Sequence, residues 1–181
     1  MILIIRKPFT IGDRVTITNI KGDITNITLT HIFLNEIGGT IDGEESSGRT
    51  VMIPTSIIFD EEVINYTEKD DFIIDEVTTS ITYESNLEKA EQVIIESAKK
   101  ILIPSKVDYP KKFDRDPHIR LKFKDSGINI TVRYLSLARK RNQIATDITR
   151  EIFNNIIKSD DVEIAYPHTE VVFRKKYEGK D

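Results

Sequence analysis

Lys7-Pro8-Phe9-Thr10-Ile11-Gly12-Asp13-Arg14-Val15 is the stretch from which the fold is read. Pro8 fixes the entry, and Phe9 and Ile11 supply apolar anchors. Gly12 allows a turn that sets Asp13 just before a strand. Val15 and Ile17 then alternate with Thr16 and Thr18, the period of a half-buried strand.

Outward from this opening, the first third reads as short strands and turns. Lys21-Gly22-Asp23 is expected to turn the chain. Ile24, Ile27 and Leu29 continue in a second strand whose uneven spacing suggests a bend or bulge. A third strand is expected over Ile32 to Ile37. Gly38 to Gly48 holds four Gly, two Ser and three acids, so it reads as a loop with room for a short strand at Thr40-Ile41. Thr50 to Ile53 forms another strand, stopped by Pro54, which cannot donate to a ladder. Ser56 to Asn65 fits either a last strand or a helical turn. Short strands, Gly turns and no long helix suggest a small barrel.

Residues 60–76 then carry eight acids and one base, which places a domain boundary near Thr67 to Asp71. Beyond it, Phe72 to Tyr83 reads as a long strand. Ser85 or Asn86 caps a helix from Leu87 to about Leu102, whose apolar residues recur every three or four positions. Pro104 ends it, and Lys106 to Pro117 is a polar loop. Ile119, Leu121 and Phe123 alternate with basic residues in a strand with one wet face. Asp125-Ser126-Gly127 is a hairpin turn, and Ile128 to Tyr134 returns. A second helix runs from about Arg139 to Lys158, and Val162 and Ile164 begin a final strand. The order strand, helix, strand, strand, helix, strand is the ferredoxin-like pattern. The fold class is therefore α+β: a small β-barrel domain, then a βαββαβ domain, then a short strand at Val171, Val172 and Phe173.

Composition narrows the function. The chain has 181 residues, a formal net charge of −4 and 31% charged residues. Residues 1–67 hold five bases and nine acids, which argues against a nucleic-acid surface. The 31 Ile against five Ala lean toward sheet. There is no Cys, so disulfides and thiolate chemistry are excluded. His31, His118 and His168 lie in separate elements without metal-ligand spacing. No phosphate loop or nucleophile elbow is present. No enzyme, cofactor or metal is expected. Arg139-Lys140-Arg141 reads either as a solvated helix start or as a phosphate patch. The longest apolar run, Met1 to Ile5, is far short of the roughly 20 residues a spanning helix needs.

Five motifs in register resemble one family. Pro8, Phe9, Gly12 and Asp13, then Gly22 with Ile24, then Ile53-Pro54, then Asn65-Tyr66-Thr67, and finally Tyr166-Pro167 look like the cytoplasmic part of small-conductance mechanosensitive (MscS-like) channels. Thr55 departs from the family's usual Asn, and the Gly38 to Gly48 loop is long for it.

The resemblance implies an Sm-like β domain at 8–67 and a ferredoxin-like domain at 68–167. It also implies a pore-helix stub at 1–7 and a C-terminal strand and tail at 168–181. It further implies a homo-oligomer, expected to be a heptamer, forming a cage that passes ions and small solutes on hypo-osmotic shock. Membrane attachment would come through an N-terminal transmembrane region missing from these residues, with this part cytoplasmic. Asp60, Glu61, Glu62, Glu68, Asp70 and Asp71 fall where the family's side windows lie, and read as window carboxylates or as a solvated linker. Val171, Val172 and Phe173 would assemble the base. The competing reading is a stand-alone Sm-like and ferredoxin-like module that binds a small ligand or RNA.

Overall fold

A computed structural model describes residues 9–41, 43–103 and 116–167. Five strands come first: β1 (Arg14–Ile17), β2 (Ile20–Ile27), β3 (His31–Ile37), β4 (Ser46–Pro54) and β5 (Val63–Asn65). A 3-10 turn at Thr55–Phe59 joins the last two. The strands form one sheet in the order β4-β3-β2-β1-β5, with every pair antiparallel. The last strand thus returns to the free side of the first. The sheet curls around Phe9, Val15, Ile17, Ile24, Ile32, Leu34 and Ile53, all buried. Two register shifts assist the curl, one in β2 between Ile24 and Asn26 and one in β3 between Asn35 and Ile37.

The first reversal is not at Lys21-Gly22-Asp23. It falls at Thr18 and Asn19, whose φ angles are 49° and 68°. A two-residue loop with both φ angles positive matches the twist of the strands it joins. Gly22 lies inside β2, paired with Val15 on one side and Glu36 on the other. A Cβ there would sit 2.8 Å from the Asn35 carbonyl oxygen. The glycine therefore serves close backbone approach, which looks the same in sequence as a turn. The Gly38 to Gly48 segment is also shorter as a loop than expected. β4 already begins at Ser46, includes Gly48, and leaves no strand at Thr40-Ile41.

The second unit contains β6 (Phe72–Ile81), α1 (Leu87–Leu102), β7 (His118–Lys124), β8 (Gly127–Leu137) and α2 (Arg141–Ile156). The Asn86 side chain caps α1, accepting from the Lys89 N–H at 3.0 Å. The sheet order is β6-β8-β7, antiparallel throughout. Val77, Ile81, Ile130 and Val132 meet Ala90, Ile94, Ile148 and Ile152 of the two helices in one core.

The expected final strand at Val162 and Ile164 is reduced to a single antiparallel bridge between Ile81 and Ile164. Ile81 is the last residue of β6, so the returning segment meets that strand only at its end. Flanking bonds from Thr82 N–H to the Glu163 carbonyl (3.0 Å) and from Ala165 N–H to the Ser80 carbonyl (2.9 Å) hold it there. It lies beside β6, where a ferredoxin-like sheet has its fourth strand. β7 also differs from expectation. It is wet on both faces, because it is the sheet's outer strand and the helices leave Leu121 and Phe123 exposed. Pro8, the stub at 1–7 and Val171-Val172-Phe173 lie outside the described residues.

Candidate functional site at the domain junction

The sequence motifs converge on one end of the β domain. Thr10 and Asp13 close a turn: the Asp13 N–H donates to the Thr10 carbonyl at 3.1 Å, and Thr10 N–H donates to Asp13 Oδ2 at 2.8 Å. Gly12, at φ +97°, bridges to the Ile24 carbonyl at 2.8 Å. Asp13 Oδ2 also accepts from Asn65 Nδ2 at 2.9 Å. Asn65 Oδ1 in turn accepts from Thr67 N–H at 3.0 Å, and Thr67 Oγ1 accepts from Arg14 N–H at 3.0 Å. Tyr66 lies between them, with its hydroxyl 3.2 Å from Thr16 Oγ1 and the Lys21 ammonium 4.4 Å from its ring centroid. Two motifs about fifty residues apart thus form one hydrogen-bonded lock.

The other motif residues lie elsewhere. Ile53 is in the β-domain core and Pro54 ends β4. Thr55 donates its hydroxyl to the Leu29 carbonyl at 3.0 Å, which pins the adjacent turn. Tyr166 and Pro167 line a small cavity of about 190 Å³ with Ser80, Lys124 and Asn129.

Arg14 connects this lock to the second domain. It is only 6% exposed. Its Nε and Nη2 donate to the two Asp23 oxygens at 2.9 and 3.0 Å, the fork geometry in which Arg binds carboxylate best. Asp23 is Arg14's partner in the β1–β2 register, so the sheet itself places it. Nη1 then donates to the Ala138 carbonyl at 3.0 Å. The Ala138 N–H is held by the Asp71 carbonyl at 2.8 Å.

The basic run before α2 completes the junction. Arg139 donates to the Gly12 carbonyl. Arg141 donates to Asp75 Oδ1 at 3.0 Å and lies 3.4 Å from Glu44 Oε1, which also pairs with Lys21. The phosphate-patch reading therefore gives way: Arg139 and Arg141 are engaged by the protein's own acceptors. Sequence patterning missed Glu44, Asp75 and Ala138, because no local signal links residues on different domains.

Tyr134 is buried opposite Asp75 in the β6–β8 register. Burial, with the Asp75 carboxylate nearby, pushes its hydroxyl well above the usual tyrosine range. Tyr134 Oη, Arg141 Nε and Glu44 Oε2 are buried atoms without a hydrogen-bond partner among the described residues.

The acidic segment divides into two groups. Asp60, Glu61 and Glu62 are exposed on the turn before β5, and Glu68 and Asp71 are exposed after it. β5 is three residues long, so roughly 10 Å of strand separates the groups. Asp70 stands apart, with Oδ1 accepting from the Phe72 N–H at 3.0 Å. Among the described residues no cluster of His, Cys, Asp or Glu could hold a metal. Nor is any of their helices long and apolar enough to cross a membrane.

Comparison with known proteins places this architecture among mechanosensitive channels. Residues 1–68 match the family model "Mechanosensitive ion channel, beta-domain", and residues 75–160 match "Mechanosensitive ion channel MscS, C-terminal". The chain belongs to the MscS-like family and carries its C-terminal region. An uncharacterized MscS family protein of Buchnera aphidicola (subspecies Baizongia pistaciae) is 26% identical over 98% of this chain and 57% of its own length. A second, from the subspecies Schizaphis graminum, is 25% identical over 97% of this chain and 56% of its own. The chain thus spans a little over half the length of both relatives.

Among solved structures, closed-state Helicobacter pylori MscS superposes with a TM-score of 0.69 at 18% identity, covering 97% of this chain and 63% of that one. Arabidopsis thaliana MSL1 gives 0.59 at 14%, covering 89% and 54%. These two likenesses are of fold.

Proposed function

We propose that this chain forms the aqueous vestibule of an MscS-like channel, through which ions and small solutes pass on hypo-osmotic shock. Seven copies assemble. Residues 8–67 ring the membrane side, 68–167 form the wall, and 168–181 supply Val171, Val172 and Phe173 to a closing barrel. Residues 1–7 continue from a pore helix, and the vestibule lies on the cytoplasmic side. The observation that carries this reading is the match of both channel domains, in order, along one chain. The junction built by Arg14, Arg139 and Arg141 suits a wall that must hold its two layers in fixed relation.

The exposed carboxylates at the two ends of β5 lie near the domain boundary, where openings between copies would carry a negative potential and favour cations. Neutralising Asp60, Glu61 and Glu62 in the whole channel should move the reversal potential in a salt gradient toward lower cation preference. An unchanged cation/anion ratio refutes that assignment.

A further inference from the structure

β7 is the outer strand of its sheet. β8 pairs with one side, and among the described residues no strand pairs with the other. Leu121 and Phe123 stand in register with the core residues Ile130 and Ile128, yet remain 44% and 72% exposed. Phe123 stacks on Tyr83, itself half exposed, with ring centroids 6.3 Å apart. Arg120, Lys122 and Lys124 alternate with these residues and so face the opposite side. Arg120 reaches Glu76 only at 3.9 Å, and Lys122 and Lys124 have no ion-pair partner among the described residues.

A free edge with water-facing aromatics favours association, and the row of cations decides with what. Two β7 edges would bring like charges face to face, which disfavours self-pairing of the strand. The complementary surface is on the same chain. Phe59 is 72% exposed and is followed directly by Asp60, Glu61 and Glu62, all exposed and without ion pairs among the described residues. That turn offers one aromatic and three carboxylates to an edge offering aromatics and three cations.

We propose that the β7 edge of one copy receives the Phe59–Glu62 turn of a second copy. This rests on the oligomeric reading above and assigns its contact. Two different patches meet, so the interface is heterologous and closes into a ring when the rotation between copies permits. The turn's carboxylates then lie at the boundary between copies. Glu68 and Asp71 remain as the unpaired carboxylates beside it.

The test uses the 181-residue chain in light scattering and sedimentation velocity, at low and high salt. R120E/K122E/K124E should weaken association at least about tenfold, and D60K/E61K/E62K should do the same. Circular dichroism should match the unmodified chain, because all six side chains are exposed. An equimolar mixture of the two variants should associate where neither does alone, and one chain carrying all six changes should recover. The proposal is overturned if either triple variant associates as tightly as the unmodified chain, or if the mixture stays dissociated. An unmodified chain that is monomeric at every concentration overturns the oligomeric reading itself, a distinguishable result.

Discussion

Replacing Arg14 with Ala removes three hydrogen bonds at once: two to Asp23 and one to the Ala138 carbonyl. Truncating one partner of a fully buried ion pair costs about 3–5 kcal/mol. Arg14 is nearly fully buried, but the Asp23 side chain is 27% exposed and can recover water. The Ala138 carbonyl belongs to a buried residue and would be left with no replacement donor from Arg14. A loss of about 2–4 kcal/mol follows. With a urea m-value near 2 kcal/mol/M, the midpoint should fall by about 1–2 M. Arg14→Lys keeps the charge but not the fork, so it should fall between the two. The third bond crosses between domains, so Arg14→Ala should also split or broaden the transition, whereas Asp23→Ala should shift it with less splitting. A double-mutant cycle of the two should show a coupling of about 1–3 kcal/mol. If Arg14→Ala moves the midpoint by less than about 0.3 M with an unchanged transition shape, the junction is not held as described.

Gly22→Ala should destabilise by about 1–3 kcal/mol, seen as a lower Tm, because its Cβ would lie 2.8 Å from a backbone oxygen and 2.9 Å from Leu34 Cβ. Asn86→Ala should cost about 1 kcal/mol by loss of the α1 cap, and Asn86→Ser should restore most of it in urea melts. Glu36 is held below the usual carboxylate range by hydrogen bonds from Arg49 and Ser47. Its contribution is therefore present above the unfolded value of about 4.3 and is lost as pH falls through the lower folded value. Stability measured from pH 7 to pH 3 should fall less steeply in Glu36→Gln than in the unmodified chain, and identical slopes would contradict the assignment.

What was legible in sequence followed from local chemistry. α1 begins and ends as expected because Asn86 caps it and its apolar residues keep helical spacing. The Asp125-Ser126 hairpin appears where Gly127 marks it. Gly22 misled because a glycine that lets two strands approach looks like one that lets a chain turn, while the true turn used Thr18 and Asn19. The last strand shrank to one bridge because its extent depends on where β6 stops, not on the residues at 162–164. The junction was illegible for a related reason. Arg14 and Ala138 are 124 residues apart, and one contributes only its backbone oxygen. Arg139 and Arg141 were visible as a basic run, but their acceptors on Gly12, Glu44 and Asp75 become neighbours only when both domains are folded.

The central claim, that the chain is a subunit of a multi-copy vestibule, is tested most directly by the native mass of the 181-residue chain in solution. Seven copies of 20.8 kDa predict a single species of about 146 kDa that dissociates on removal of residues 168–181. A 20.8 kDa monomer at all concentrations, or a mass unaffected by that removal, would contradict it.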